Sequence, residues 1–127
     1  MNFGMRNSDF GIRISDFGID KAMPTLDPHL DTLVRLLQCY EPERIILFGS
    51  RARGDADAYS DYDVIVIKRT ERPFLDRLQD MVPYLVEFER PAEILVYTPE
   101  EFERMRETGL GWVVQKEGVL LYERPTD

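Results

Sequence analysis

Apolar positions along the chain change period several times, and each change predicts an element. Leu30, Leu33, Val34, Leu37 and Tyr40 recur at helical spacing. Asp27 suits the N-cap of that helix, Pro28 its first position, and Glu41-Pro42 its end. Arg44 to Phe48 is a short apolar run of strand length, and Asp61 to Lys68 is a second. In the second run Val64 and Val66 alternate with Ile65 and Ile67, so both faces are apolar, as in a central strand. Phe74, Leu78, Met81 and Val82 return to helical spacing from Pro73 to about Tyr84, with Pro83 marking the end region. Glu93 to Tyr97 is a third strand. Thr98, Pro99 and Glu101 read as a capping box for a helix that Gly109 and Gly111 break. Trp112 to Lys116 adds one or two turns, and Val119 to Tyr122 reads as a final strand. Helices alternating with short apolar strands predict an α/β or α+β domain.

The first 22 residues do not share this pattern. Ser8-Asp9-Phe10-Gly11-Ile12 recurs as Ser15-Asp16-Phe17-Gly18-Ile19 with a period of seven. A solenoid needs about three units, and Gly11 and Gly18 disfavour a coiled coil. The expectation is a flexible tail over 1–22 and a single domain over 23–127. Two other readings stay open: translated sequence upstream of a start at Met23, or a partner-binding arm.

Composition narrows the function classes. The chain of 127 residues has a net charge of −8, which disfavours a phosphate backbone as main partner. No apolar run approaches the roughly 20 residues of a membrane helix, and no secretory signal is visible. Cys39 is the only cysteine, so no intrachain disulfide forms. These features predict a cytoplasmic protein. His29, Trp112 and the charged run from Glu100 to Glu107 read as surface or packing residues, and Cys39, near the end of the first helix, as packed and not reactive.

The chemistry lies between the first two strands. The first feeds Gly49-Ser50-Arg51-Ala52-Arg53-Gly54, and the second opens on Ser60-Asp61-Tyr62-Asp63. Gly49 has no Cβ to obstruct a phosphate, and Ser50 offers a hydroxyl. A helix beginning after Ser50 would add free amides to an anion site. Arg51 and Arg53 are candidates for phosphate binding or for structural ion pairs, and Gly54 lets the chain leave the turn. On a strand, Asp61 and Asp63 project to one side and Tyr62 to the other. Two adjacent carboxylates suit Mg²⁺, a hard cation. Glu93, at the head of the third strand, is the candidate third acid.

These residues resemble the signature of the nucleotidyltransferase superfamily related to DNA polymerase beta, and in particular its minimal nucleotidyltransferase (MNT) branch. The resemblance runs from about residue 25 to 124 and is most specific between 45 and 67. It implies a small mixed sheet flanked by helices and Mg²⁺-dependent transfer of AMP from ATP with release of pyrophosphate. By position, Gly49 and Ser50 would hold the β- and γ-phosphates, and Asp61 and Asp63 the metal. Glu93 stands where the family more often carries Asp, as general base or ligand of a second Mg²⁺ ion. Relatives of this size are often encoded beside a HEPN-domain toxin as its antitoxin, and some silence that toxin by adenylylating it; such a toxin is the partner expected here. Two alternatives stay open: a non-catalytic binding module of the same fold, and nucleotidyl transfer to a small molecule.

Overall fold

The computed structural model describes residues 27–125, so the tail expected over 1–22 lies outside the described residues. Helix α1 (Pro28–Gln38) starts where the sequence predicts: the Asp27 carboxylate accepts from the His29 amide at 2.9 Å. Its apolar stripe buries Leu30, Leu33 and Leu37. Strand β1 (Arg44–Phe48) runs into a single helical turn, α2 (Ser50–Arg53). Strand β2 (Tyr62–Ile67) follows a loop, then come α3 (Phe74–Asp80), α4 (Val82–Phe88), β3 (Ala92–Tyr97), α5 (Pro99–Arg104), α6 (Gly109–Glu117) and β4 (Val119–Glu123).

The sheet order is β3-β2-β1-β4. β1 pairs antiparallel with β2 and β4, whereas β2 and β3 are parallel. One face carries Ile45, Leu47, Tyr62, Val64, Val66, Ile94 and Val96 against Leu30, Leu33, Leu37 and Phe88 of α1 and α4. The other carries Ile46, Phe48, Ile65 and Ile67 against Phe102 and Val114 of α5 and α6. β2 is buried on both faces, as its continuous apolar run predicts. The mixed sheet flanked by helices is the expected fold class. Among the described residues no helix is long and apolar enough to cross a membrane.

Three local expectations change. Pro83 opens α4 instead of ending a helix, because proline is tolerated in a first turn, where no intrahelical amide is lost. Gly109, at φ +51°, opens α6 just after the break over 105–108, but Gly111 lies inside that helix. Gly111 is buried against the Met105 backbone, where a Cβ would overlap the Met105 carbonyl, so close packing is the reason for this glycine. Cys39 is exposed as the C-cap of α1, not packed.

The Thr98 capping box forms in full. The Glu101 amide donates to Thr98 Oγ1 at 3.1 Å, and the Thr98 amide donates to Glu101 Oε1 at 2.9 Å. The same Glu101 carboxylate receives Arg77 of α3 through two hydrogen bonds of 2.7 and 3.1 Å. Arg77 is 4% exposed and also donates to the Arg72 and Val96 carbonyls. This guanidinium therefore joins α3, β3 and α5. Arg77 holds the Glu101 carboxyl below its usual range, aided by the Thr98 amide, against a smaller opposing effect of burial. That stabilisation is present above the ordinary glutamate pKa and is lost as pH falls through the lowered value. Arg77→Ala is expected to destabilise the fold by about 3 kcal/mol, at the low end for a broken buried pair because Glu101 keeps some solvent contact. Urea unfolding at pH 7 measures this. The deficit should narrow in acid as Glu101 protonates.

Candidate active site

The site is assembled by strand register. β1 ends at Phe48 opposite Asp63 of β2, and Asp63 in turn lies opposite Glu93 of β3. The Gly49 turn, the head of β2 and the head of β3 therefore meet at one end of the sheet. The Tyr62 amide donates to the Pro91 carbonyl at 3.0 Å and ties the two strand heads together.

Gly49 has φ +80° and ψ −162°, a conformation essentially restricted to glycine. A Cβ there would overlap the Asp63 carboxylate and lie 3.2 Å from its Cγ. The turn and the acid are thus in direct contact across a gap that only a hydrogen atom fits. Gly54 at φ +89° turns the chain out of α2, as expected. The Ser50 hydroxyl makes no hydrogen bond among the described residues.

Asp63 is half-buried, and Asp61 and Glu93 are exposed. None of the three accepts a hydrogen bond or pairs with a cation among the described residues. Burial raises the Asp63 carboxyl above its ordinary value; Glu93, Asp61 and Glu117 raise it further by like-charge repulsion, and Arg53 partly offsets them. Asp61, Asp63 and Glu93 are the hard oxygen donors that Mg²⁺ takes, and the repulsion on Asp63 is what a divalent cation would relieve. They are not a ready-made chelate: among the described residues no three acidic, His or Cys side chains are gathered as a metal site. Asp61 sits one residue before β2, in the loop, so the strand alone does not fix its direction.

The arginines divide. Arg51 lies on the opposite side of the turn, with its guanidinium 4.0 Å from the Tyr62 ring centroid. Its Nε and Nη2 donate to the Ser60 carbonyl at 3.2 and 3.0 Å, and Nη2 also reaches the Asp57 carbonyl at 3.1 Å. These donors hold the loop before Asp61. Tyr62 turns away from the acids, as strand alternation predicts, and donates its hydroxyl to Asp27 at 2.8 Å. Burial and that bond push its pKa up to about 12. Asp27 is itself partly buried, yet the Tyr62 hydroxyl, the His29 amide and the nearby positive charges hold it low.

Arg53 is exposed on the side of the acids. It pairs with Asp55 at 3.2 Å and, through Nη1, with Glu117 Oε1 and Oε2 at 3.1 and 3.3 Å. Glu117, the last residue of α6, also accepts the Gly49 amide. Sequence reasoning missed Glu117, since an isolated carboxylate 68 positions along the chain from Gly49 has no spacing signal. A cavity of about 440 Å³, lined by residues including Phe74, Tyr97 and Arg104, lies at the far end of β3 from Glu93.

A small mixed sheet with a Gly-Ser turn beside strand-borne carboxylates defines the nucleotidyltransferase class. Residues 28–121 match the nucleotidyltransferase domain, and the chain belongs to that family. A curated protein of Methanocaldococcus jannaschii named "Putative protein adenylyltransferase MJ0141" is 39% identical over 54 residues, 42% of this chain. That match spans 54% of the curated relative, about half its length. Among solved structures, a chain of a mutant toxin–antitoxin complex MntA-HpeT superposes with TM-score 0.53 at 18% identity, covering 79% of this chain and 75% of that one. It shares the fold. A chain of a toxin–antitoxin crystal structure with AMP-PNP has TM-score 0.49 and 19% identity over 75% of this chain and 73% of that one.

Two outcomes follow from the geometry. Because the folded state raises the Asp63 pKa, the contribution of Asp63 to stability is most favourable below the ordinary aspartate value and falls as pH rises through the raised one. Asp63→Asn removes that penalty. With chelator present, it is expected to melt above wild type at pH 7, and the two curves should converge below about pH 4 in calorimetry. Gly49→Ala is expected to destabilise by roughly 1–3 kcal/mol from backbone strain, with the Asp63 overlap added, read by the same melts.

Proposed function

We propose that this domain transfers AMP from ATP to a hydroxyl on a partner protein, with Mg²⁺ as cofactor, and that the partner is a HEPN-domain toxin for which it is the antitoxin. The observation that carries the reading is the register that sets Asp63 beside Gly49 on one side and Glu93 on the other. Protein adenylylation is the activity in the name of the M. jannaschii relative, and the MntA-HpeT complex, a toxin–antitoxin pair, shares the fold.

In this reading Gly49 and Ser50 receive the terminal phosphates through the turn amide and the free hydroxyl. Asp61 and Asp63 hold the metal, with Glu93 as third ligand or base. Bound Mg²⁺ would supply charge neutralisation at the α-phosphate and activation of the acceptor hydroxyl. The acceptor oxygen forms a bond to the α-phosphorus as the bond to the bridging oxygen breaks. Pyrophosphate leaves with that electron pair, and Glu93 takes the acceptor proton. Arg51 acts at one remove, since its bonds to the Ser60 and Asp57 carbonyls position the loop that carries Asp61. Arg53 is the arginine on the phosphate side.

Purified protein incubated with labelled ATP, Mg²⁺ and the co-encoded partner should label the partner and add the mass of one AMP. Asp61→Asn and Asp63→Asn should each lower labelling by at least ~100-fold, the order of loss when one preorganised charge-stabilising group leaves a reacting centre. Both variants should keep the wild-type circular dichroism spectrum. Labelling that survives both substitutions refutes the assignment.

A further inference from the structure

The cradle assigned to phosphate already contains an anion from the same chain. The Glu117 carboxylate accepts the Gly49 amide with Oε2 and holds Arg53 Nη1 with both oxygens. These are the backbone donor and the guanidinium that a terminal phosphate would require. Glu117 is 15% exposed at its side chain and stands at the C-terminus of α6, where the following Gly118 is packed tightly against Val114 and Ile46. The carboxylate is therefore held at the cradle by a helix end anchored to the core. It also adds to the like-charge pressure on Asp63.

We infer that Glu117 is an intramolecular phosphate mimic that occupies the Gly49 amide and Arg53 and must be displaced before a triphosphate binds. This inference rests on the proposed nucleotide site. The two states exchange one charge-assisted interaction for another: Gly49 N–H and Arg53 leave a carboxylate and take a phosphate, while Glu117 returns to water. Nucleotide affinity is consequently lower than the cradle alone would give. The end of α6 becomes the element that responds to nucleotide, since releasing Glu117 frees its contact with the turn after β1.

The test is titration calorimetry of the full chain with Mg²⁺-ATP, and separately with inorganic tripolyphosphate in chelator, which addresses the cradle without the metal. Glu117→Ala should lower Kd for both by about tenfold, the scale of one hydrogen bond to a charged group. Asp55→Asn removes an equal charge from the same arginine while leaving the Gly49 amide occupied. It should change Kd less than about threefold, separating displacement from a general loss of negative charge. Thermal melts check that each variant folds, and Glu117→Gln provides a second variant if the alanine protein does not. Hydrogen exchange of wild type should show faster exchange over residues 112–118 once Mg²⁺-ATP is bound. Wild type that binds Mg²⁺-ATP while Glu117→Ala binds no tighter overturns the inference and leaves the nucleotide site standing. Equal gains in Glu117→Ala and Asp55→Asn overturn it in favour of bulk charge. Absence of Mg²⁺-ATP binding in both wild type and Glu117→Ala removes the nucleotide site, and the inference with it.

Discussion

The pairing register of β2 is the constraint from which the site follows. Tyr62, Val64 and Val66 face α1 and α4, and Asp63, Ile65 and Ile67 face α5 and α6. A slip of one residue would exchange these sets and drive Asp63 into the core beside Phe88. The apolar alternates leave no freedom for such a slip, so burial of four aliphatic side chains aims one carboxylate. The antiparallel neighbour then brings the Gly49 turn to that carboxylate, and the parallel neighbour brings Glu93. Because β2 has a parallel partner on one side and an antiparallel partner on the other, the end of one strand and the heads of two meet at the same edge.

Electrostatics at that edge runs against folding. Asp63 has like charges on three sides and no compensating hydrogen bond among the described residues. Elsewhere the domain handles buried charge differently. Arg77 meets a carboxylate and two carbonyls, and Arg44, 1% exposed in β1, bonds Glu123 at 3.2 Å. Scaffold charges are paired, whereas the candidate site retains its repulsion, the pattern expected where a site awaits a ligand of opposite charge. Stability of the two regions therefore responds to acid in opposite directions: protonation removes the Arg77–Glu101 contribution and relieves Asp63.

The two arginines of the turn illustrate how neighbouring residues take different work. They lie two positions apart, yet α2 is a single helical turn, so they project to different sides. Arg51 is drawn to the Tyr62 ring and the carbonyls of the loop before Asp61. Arg53 stays with the acids and is neutralised by Glu117 and Asp55. Residue type alone leaves both open to phosphate binding or to structural ion pairs. Of the two, Arg53 is the one on the side of Asp63 and Glu117.

Local chemistry carried much of the fold in the sequence itself. The Asp27-Pro28 cap, the Thr98 capping box, the double-sided apolar run of β2 and the Gly-Ser turn are short-range patterns, because each depends on backbone geometry over a few residues. Class and family were legible for the same reason, through motifs within one stretch of the chain. Pro83 and Gly111 were misread because helix starts and tight helix–backbone contacts are decided by what packs beside them. Glu117 was invisible because nothing local distinguishes it; α6 and β1 must first pack together. The sequence by itself determined the elements, the two-residue spacing of the acids and the glycine that admits one of them. Tertiary structure alone decided which strands became neighbours, which arginine faces the acids and which distant carboxylate accepts the Gly49 amide, since these are contacts between segments that no local pattern records.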